Sequence, residues 1–132
     1  MMRESWLPAA PESVMCARAL VRDAAVEQGL DDDGAWSLTL ATSEAVSNAI
    51  LHGTPCGEQG ILLRLLPWND GLWVEVCDCG GFDAAPLPPG PEAPHGRGIP
   101  IIAAVVDHFE VVPDGPLTRV RFAKAGRRLA AA

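Results

Sequence analysis

The fold of this chain is decided by one stretch, Ser43-Glu44-Ala45-Val46-Ser47-Asn48-Ala49-Ile50-Leu51-His52-Gly53. At about 3.6 residues per turn, its polar residues Glu44, Asn48 and His52 follow one another along a single helical stripe. The opposite face is apolar, and Gly53 stands where a C′ glycine would end the helix. An amide oxygen is a hard ligand for Mg²⁺, and a carboxylate one turn away can orient a nucleophile. The stretch therefore indicates either a helix for metal-assisted phosphoryl chemistry or an ordinary solvated helix face.

Length and composition favour a single cytoplasmic domain. With 132 residues, the chain can bury a sizeable core without a metal or a disulfide to support it. Its 17 acidic and 10 basic residues give a net charge of −7, which argues against general binding to nucleic-acid phosphates. Arg3 and Glu4 interrupt the N-terminal apolar residues, and no segment approaches the roughly 18 apolar residues of a membrane span. We therefore expect one soluble domain, residues 1–132, with neither a signal peptide nor a membrane segment.

Apolar periodicity and turn residues divide the chain into helices and strands. The predicted elements are a short edge strand at 3–9, helices at 11–28 and 33–52, a hairpin of strands 61–66 and 72–77, a helix from about 95 to 107, and a hairpin of strands 109–112 and 117–122. The acidic run Asp31-Asp32-Asp33 supplies N-cap candidates for the second helix. The segment from about 82 to 96 is rich in proline and lacks periodicity, so we interpret it as a lid. A short basic tail, about 124–132, ends the sequence.

The four cysteines, Cys16, Cys56, Cys77 and Cys79, form neither a C-x-x-C pair nor the dense framework of a secreted protein. We interpret them as small thiols in the core of a cytoplasmic protein. A zinc site made by Cys56, Cys77, Cys79 and His52 is a second, weaker interpretation.

Basic residues are concentrated near the C-terminus, at Arg119, Arg121, Lys124, Arg127 and Arg128. A strand at the sheet edge followed by a solvated tail would explain them. A docking patch for an acidic partner is the alternative.

Two further regions are typical of a nucleotide site. Asp78 ends a predicted strand just before Gly80 and Gly81, so its carboxylate can accept a hydrogen bond from an exocyclic amine such as adenine N6, with the Thr118 hydroxyl as a neighbouring group. The run Gly96-Arg97-Gly98 opens a helix whose N–H groups and dipole favour a phosphate, and Arg97 would add a charged contact. Together with the polar helix stripe, these regions predict a site for adenine, polyphosphate and Mg²⁺.

Several other phosphate-binding and hydrolytic schemes are excluded. Lys124 is the single lysine and lies in no G-x-x-x-x-G-K-[ST] loop, and the H-R-D and D-F-G signatures of ordinary protein kinases are missing. The run Gly96-Arg97-Gly98 lacks the third glycine of a Rossmann fingerprint, and no G-x-S-x-G elbow is present.

Three motifs in combination resemble those of the GHKL (Bergerat-fold) ATPases. The stretch from Glu44 to Gly53 looks like their N box, Asp78-Cys79-Gly80-Gly81-Phe82 like their first glycine box, and Gly96-Arg97-Gly98-Ile99 like their second. More narrowly, nearly the whole chain resembles the anti-sigma factor serine/threonine kinases. The resemblance implies an α+β fold, a two-layer α/β sandwich in which a mixed, mostly antiparallel sheet carries about three helices on one face.

The resemblance also implies roles for the matching residues. Asn48 would ligate Mg²⁺, Glu44 would act as general base on the hydroxyl that receives the γ-phosphate of ATP, and Asp78 would read adenine. Gly80, Gly96 and Gly98 would shape the pocket and lid. The remaining positions expected at the nucleotide are His52, Gly81, Arg97, Ile99 and Thr118. The implied partners are a sigma factor, an antagonist protein phosphorylated on a serine, and a second copy of the chain.

The first glycine box departs from the family pattern, which is usually Asp-x-Gly-x-Gly. Here Gly81 follows Gly80 directly, as if one residue were absent. Asp78 and Gly80 keep their spacing, which favours retained ATP binding, whereas phosphoryl transfer depends on positioning. Two hypotheses follow: an ATP-dependent protein serine kinase that also binds a sigma factor, and an ATP-binding protein-interaction module with little or no kinase activity.

Overall fold

The computed structural model describes residues 2–80 and 98–126, with the side chain of Ile99 left out. Its main elements are β1 (Arg3–Leu7), α1 (Glu12–Glu27), α2 (Asp32–His52), β2 (Ile61–Trp68), β3 (Gly71–Asp78), α3 (Gly98–Val105), β4 (His108–Asp114) and β5 (Leu117–Lys124). In this part of the chain the strands form one sheet in the order β1-β2-β3-β5-β4. The predicted α+β class is confirmed, and every pairing between the described strands is antiparallel.

The two long helices form where the apolar periodicity predicts them. α1 begins directly after Pro11, and α2 begins after Asp31, whose side chain accepts a hydrogen bond from the Gly34 N–H at 2.7 Å. Ala17 of α1 and Ala41 of α2 are fully buried, and such small side chains let the two helices pack closely. Within residues 2–80 and 98–126, no helix combines the length and the apolar character needed to span a bilayer.

The hydrophobic core lies between the helices and one face of the sheet, which we call the inner face. Successive residues of a strand point to opposite faces, so alternate positions enter the core. The strand residues in the core include Ile61, Leu63, Leu65, Leu72, Val74, Val76 and Phe122. The helices contribute Val21, Leu38, Val46 and Ile102 among others. This arrangement is the two-layer sandwich that the family resemblance implies.

A buried carboxylate organises the opposite, outer face of the sheet. Glu75 of β3 is only 4% exposed, and the Trp73 Nε1–H donates to its Oε2 at 3.1 Å. The guanidinium nitrogens of Arg64, Arg119 and Arg121 lie 3.6, 3.8 and 3.7 Å from the Glu75 oxygens. Because β5 lies between β3 and β4, the prediction that Arg119 and Arg121 occupy a sheet edge is wrong. In this part of the structure they balance the charge of Glu75 and also pair with two β4 carboxylates, Arg119 with Asp114 at 2.6 Å and Arg121 with Glu110 at 3.1 Å.

The described part of α3 ends earlier than predicted, at Val105 instead of 107. Two hydrogen bonds turn the chain into β4 at this point: the Asp107 N–H donates to the Ala123 carbonyl at 2.9 Å, and Asp107 Oδ2 accepts from the Ala125 N–H at 2.8 Å. The predicted lid at 82–96 and the predicted helix start at about 95 lie outside the described residues, as does the tail after Gly126.

Candidate functional site

The last turn of α2 lies against the end of β3. Gly53 follows α2, and its N–H donates to the carbonyl oxygens of Asn48 and Ala49 at 3.2 and 3.0 Å. Its backbone is extended, with φ −84° and ψ −179°, so it does not adopt the left-handed conformation of a C′ glycine. A Cβ at this position would lie 2.6 Å from the Ala49 carbonyl oxygen and 2.6 Å from Asp78 Oδ2. Glycine is therefore required here by the close approach of Asp78.

Backbone donors hold Asp78 at the end of β3. Its Oδ1 accepts a hydrogen bond from the Gly80 N–H at 2.7 Å, and the backbone of Thr54 also hydrogen-bonds to the carboxyl group. The Cys79 N–H donates to the Thr54 carbonyl at 2.8 Å. Burial raises the pKa of the Asp78 carboxyl, and the two backbone hydrogen bonds oppose part of that rise. Asp78 is thus a half-buried acceptor that is oriented by the loop following α2.

Thr118 stabilises this corner of the structure by a hydrogen bond to Gly80. It lies opposite Asp78 in the register of β3 and β5, and its Oγ1–H donates to the Gly80 carbonyl at 2.5 Å. Gly80 is therefore fixed at both of its polar groups, its N–H by Asp78 and its carbonyl by Thr118. A Cβ on Gly80 would lie 3.0 Å from Asp78 Oδ1, so this glycine also permits a close approach to the carboxylate.

The polar stripe of α2, formed by Glu44, Asn48 and His52, ends next to Gly53. Glu44 and Asn48 are half-buried, and His52 in the last turn is exposed. Within residues 2–80 and 98–126, no side-chain hydrogen bond or ion pair involves Glu44 or Asn48. A carboxylate and an amide that are partly shielded from water and uncommitted to the rest of the described chain have the chemistry to serve as a base and as an Mg²⁺ ligand.

The remaining predicted site residues fall around α3 and the segment before it. Gly98 and Ile99 form the first turn of α3, which packs on α2 and buries Ile102 completely. Gly81, Gly96 and Arg97 lie outside the described residues. The structure therefore brings Asp78, Gly80 and Thr118 together at the end of α2.

A disulfide that the sequence did not predict links the two sides of this corner. Cys56, in the loop after α2, is bonded to Cys79, directly after Asp78, and their Cα atoms are 5.0 Å apart. The prediction of four reduced thiols is therefore wrong for this pair, and the zinc interpretation is wrong because both sulfurs are committed to each other. No cluster of three or more metal-binding side chains occurs within residues 2–80 and 98–126.

The sequence carries no local signal of this bond. Cys56 closely follows the glycine that ends α2, and Cys79 adjoins the carboxylate that ends β3, so the contact between Gly53 and Asp78 in the fold brings the two cysteines near each other. Cys16 and Cys77 are free; Cys16 is exposed, and burial raises the pKa of the Cys77 thiol to about 11.

Comparison with known proteins identifies the family and the fold. A family model described as a histidine kinase-like ATPase domain matches residues 7–124. The crystal structure of the RsbU and RsbW domains of Rv1364c from Mycobacterium tuberculosis has the same fold, with a TM-score of 0.76 at 22% sequence identity. The alignment covers 98% of this chain and 34% of that one, so the present chain spans about a third of that protein's length. The comparison with curated proteins found no match. The chain belongs to the family of histidine kinase-like ATPase domains, which confirms the resemblance carried by its motifs.

Proposed function

We propose that this chain is an ATP-binding anti-sigma regulatory factor with protein serine kinase activity. The observation that carries the proposal is the contact between Gly53 and Asp78, since it joins the helix of Glu44 and Asn48 to the carboxylate expected to read adenine. The family match supports ATP binding, and the three motifs support the narrower assignment. The predicted phosphoryl acceptor is a serine of an anti-sigma factor antagonist.

The described residues divide into two roles. Asp78, held by the backbone N–H groups of Thr54 and Gly80, would accept the adenine amine through its carboxylate. Asn48 would ligate Mg²⁺, which when bound neutralises charge on the phosphates. Glu44 would take the proton of the serine hydroxyl as its oxygen bonds to the γ-phosphorus and ADP leaves. The half-buried positions of Glu44 and Asn48 support these assignments.

Phosphate transfer to an antagonist protein tests the proposal. The purified chain would be incubated with labelled ATP and a serine-bearing antagonist, and Glu44→Gln would be compared with Glu12→Gln, a matched change at the start of another helix. We expect label on the serine with the parent chain and with Glu12→Gln, and none with Glu44→Gln. Intact ATP binding without transfer in the parent chain would favour the protein-interaction module, and absence of ATP binding would refute both.

We further propose that the chain forms a homodimer that binds a sigma factor in the cytoplasm. The described helices pack on the inner face, and the outer face presents aromatic and arginine side chains, the types enriched at protein interfaces. Trp6 of β1 pairs with Leu62 on this outer face and is 43% exposed. We expect Trp6→Glu to dissociate the dimer in sedimentation experiments, while Trp36→Glu, at a 63% exposed position on α2, leaves it intact. A dimer unaffected by Trp6→Glu would place the interface elsewhere.

A further inference from the structure

We propose that the Cys56–Cys79 disulfide is a reversible redox clasp that holds the loop after α2 on Asp78 and thereby sets nucleotide affinity. The effect on affinity rests on the proposed function, because Asp78 matters to a ligand only if a nucleotide binds there. The clasp itself rests on contacts among the described residues.

The disulfide spans the same two segments that orient the carboxylate. Thr54, two residues before Cys56, hydrogen-bonds to Asp78 through its backbone and accepts the Cys79 N–H at 2.8 Å. Cys79 itself lies between Asp78 and Gly80, the residue whose N–H binds Asp78 Oδ1. One covalent bond therefore restrains both backbone donors of the carboxylate relative to each other.

Few other interactions keep the loop in place. Thr54, Pro55 and the 57–59 turn are exposed, so the loop buries little apolar surface. The Cys56 N–H donates to the Gly60 carbonyl at 2.7 Å, which is a contact within the loop and does not attach it to β3. Segments with little apolar burial open at low free-energy cost. Once the disulfide is broken, we expect the loop to leave Asp78 part of the time.

The disulfide is accessible to a reductant. Cys56 and Cys79 are both half-buried, so the thiolate of an external dithiol can attack one sulfur and release the other. The second thiol of the reductant then displaces the mixed disulfide, so that two electrons and two protons pass to the cysteines and the dithiol becomes a disulfide. In the cytoplasm, where the proposed function would operate, disulfides of mesophilic proteins are usually transient, catalytic or redox-sensing.

Cys77 does not compete in this exchange despite its proximity in sequence. It is 1% exposed, and burial raises the pKa of its thiol to about 11, which keeps it protonated and unreactive near neutral pH. The exposed Cys16 is the other free thiol, and its replacement removes the risk of crosslinking between chains. The Cys16→Ser background therefore isolates the Cys56–Cys79 pair.

Amide hydrogen exchange in this background tests the clasp without any nucleotide. Alkylation of the denatured protein first counts the thiols, with one expected when the pair is oxidised and three after dithiothreitol. We expect reduction to speed exchange at the Cys79 and Gly80 amides by at least about tenfold, with much less change at the central residues of β5. In the Cys56→Ser/Cys79→Ser variant, exchange at residues 79 and 80 should be as fast as in the reduced protein and should not change when dithiothreitol is added. Unchanged exchange at both amides, or a uniform rise throughout the sheet, would overturn the clasp.

Calorimetry with Mg-ATP tests the coupling to the nucleotide. We expect the affinity for Mg-ATP to fall about tenfold on reduction, because the Asp78 carboxylate is no longer held in the orientation that accepts a hydrogen bond from the nucleotide. The affinity of the double serine variant should be equally low with and without dithiothreitol. The Cys77→Ala variant should respond to dithiothreitol as the parent does. Equal affinity in the oxidised and reduced states would refute the coupling. Failure of the oxidised protein to bind ATP at all would refute the proposed function and the coupling together, while the exchange experiment would still decide whether the clasp exists.

Discussion

A side chain on residue 53 and the carboxylate of Asp78 compete for the same space, since a Cβ on Gly53 would lie 2.6 Å from Asp78 Oδ2. Gly53→Ala must therefore displace the carboxylate or the end of α2. We expect a loss of about 1–3 kcal/mol in the free energy of unfolding, as for other overpacked sites, and a fall in ATP affinity of about tenfold or more. Denaturant unfolding and calorimetry measure the two effects.

The control for this substitution is Gly29→Ala. Gly29 has φ +83° and no atom within 4 Å of an added Cβ, so alanine there would cost about 1 kcal/mol of backbone strain without crowding any neighbour. Its ATP affinity should equal that of the parent. If Gly53→Ala bound ATP as tightly as Gly29→Ala does, the contact between residue 53 and Asp78 would have no bearing on the nucleotide.

Asp78→Asn is expected to change the stability of the fold and the affinity for ATP in opposite directions. Burial raises the pKa of this carboxyl in the folded state, so its contribution to stability is present at low pH and is lost as the pH rises through the folded pKa. The neutral amide avoids that loss and can still accept from the Gly80 N–H. In urea unfolding, the stability of the variant relative to the parent should therefore rise as the pH increases above 3.8, the ordinary pKa of this carboxyl, while ATP binding should be weaker. A variant that loses stability relative to the parent over this range would contradict the assigned sign.

Asn48→Ala removes the amide that is expected to ligate Mg²⁺. The affinity for Mg-ATP should fall, while the affinity for ATP measured in the presence of a chelator should change little, because the contacts to adenine remain. Ser47→Ala, at the adjacent half-buried position of α2, is the matched control. Calorimetry with and without Mg²⁺ decides the question, and a loss of equal size in both conditions would point to a structural role for Asn48.

Ionisation of the Cys77 thiol is expected to lower the stability of the protein at alkaline pH. Its pKa rises from 9.0 to about 11 in the folded protein because of burial, so between these pH values the native state retains a proton that the unfolded state has released. The free energy of unfolding should fall over this window by up to about 1.4 kcal/mol per pH unit. The chain has no tyrosine to add an alkaline transition of its own. Cys77→Ala should flatten the profile, and an identical profile in parent and variant would contradict the assignment.

Glu75→Gln tests the charge network on the outer face. Glu75 is 4% exposed and lies within 3.8 Å of three guanidinium groups, so its neutralisation removes the buried carboxylate of the cluster and leaves each arginine only its more exposed partner: Glu4, Asp114 or Glu110. We expect a loss of about 1–2 kcal/mol in the free energy of unfolding, because the arginines keep their second carboxylate partners and are partly exposed. Glu4→Gln is the control, because the Glu4 side chain is 44% exposed and should contribute less than about 1 kcal/mol. Equal losses in denaturant unfolding would show that burial of Glu75 is energetically unimportant.

Much of the fold could be predicted because it depends on local patterns. The sequence shows the helical spacing of Val14, Ala17, Val21 and Ala25, the N-cap candidates Asp31-Asp32-Asp33 and the alternation in Leu72–Cys77, and each gives an element close to its observed bounds. The motifs also led to the correct family.

The features that sequence reasoning missed depend on contacts between distant segments. The Cys56–Cys79 bond follows from the approach of α2 to β3, and the burial of Glu75 follows from the order of β2, β3 and β5. Nothing local distinguishes Glu75 from a solvated glutamate on the wet face of a strand. Gly53 does end α2 as predicted, but its backbone is extended and its absent side chain leaves room for Asp78, a contact that no periodicity encodes.

The pairing of β1 with β2 also constrains the order in which the chain folds. Arg3 pairs with Leu65 and Leu7 with Ile61, so the whole α1–α2 unit separates the two strands, whereas β2 and β3 meet through the short turn between Trp68 and Gly71. Closing the longer loop carries the larger entropic cost and slows the step that requires it. During synthesis β1 leaves the ribosome well before β2 has been made. In that interval its backbone N–H and C=O groups are unpaired, and the charged side chains of Arg3 and Glu4 disfavour pairing with strands of other chains. Among the described strands, β1 is thus expected to be the last to join the sheet.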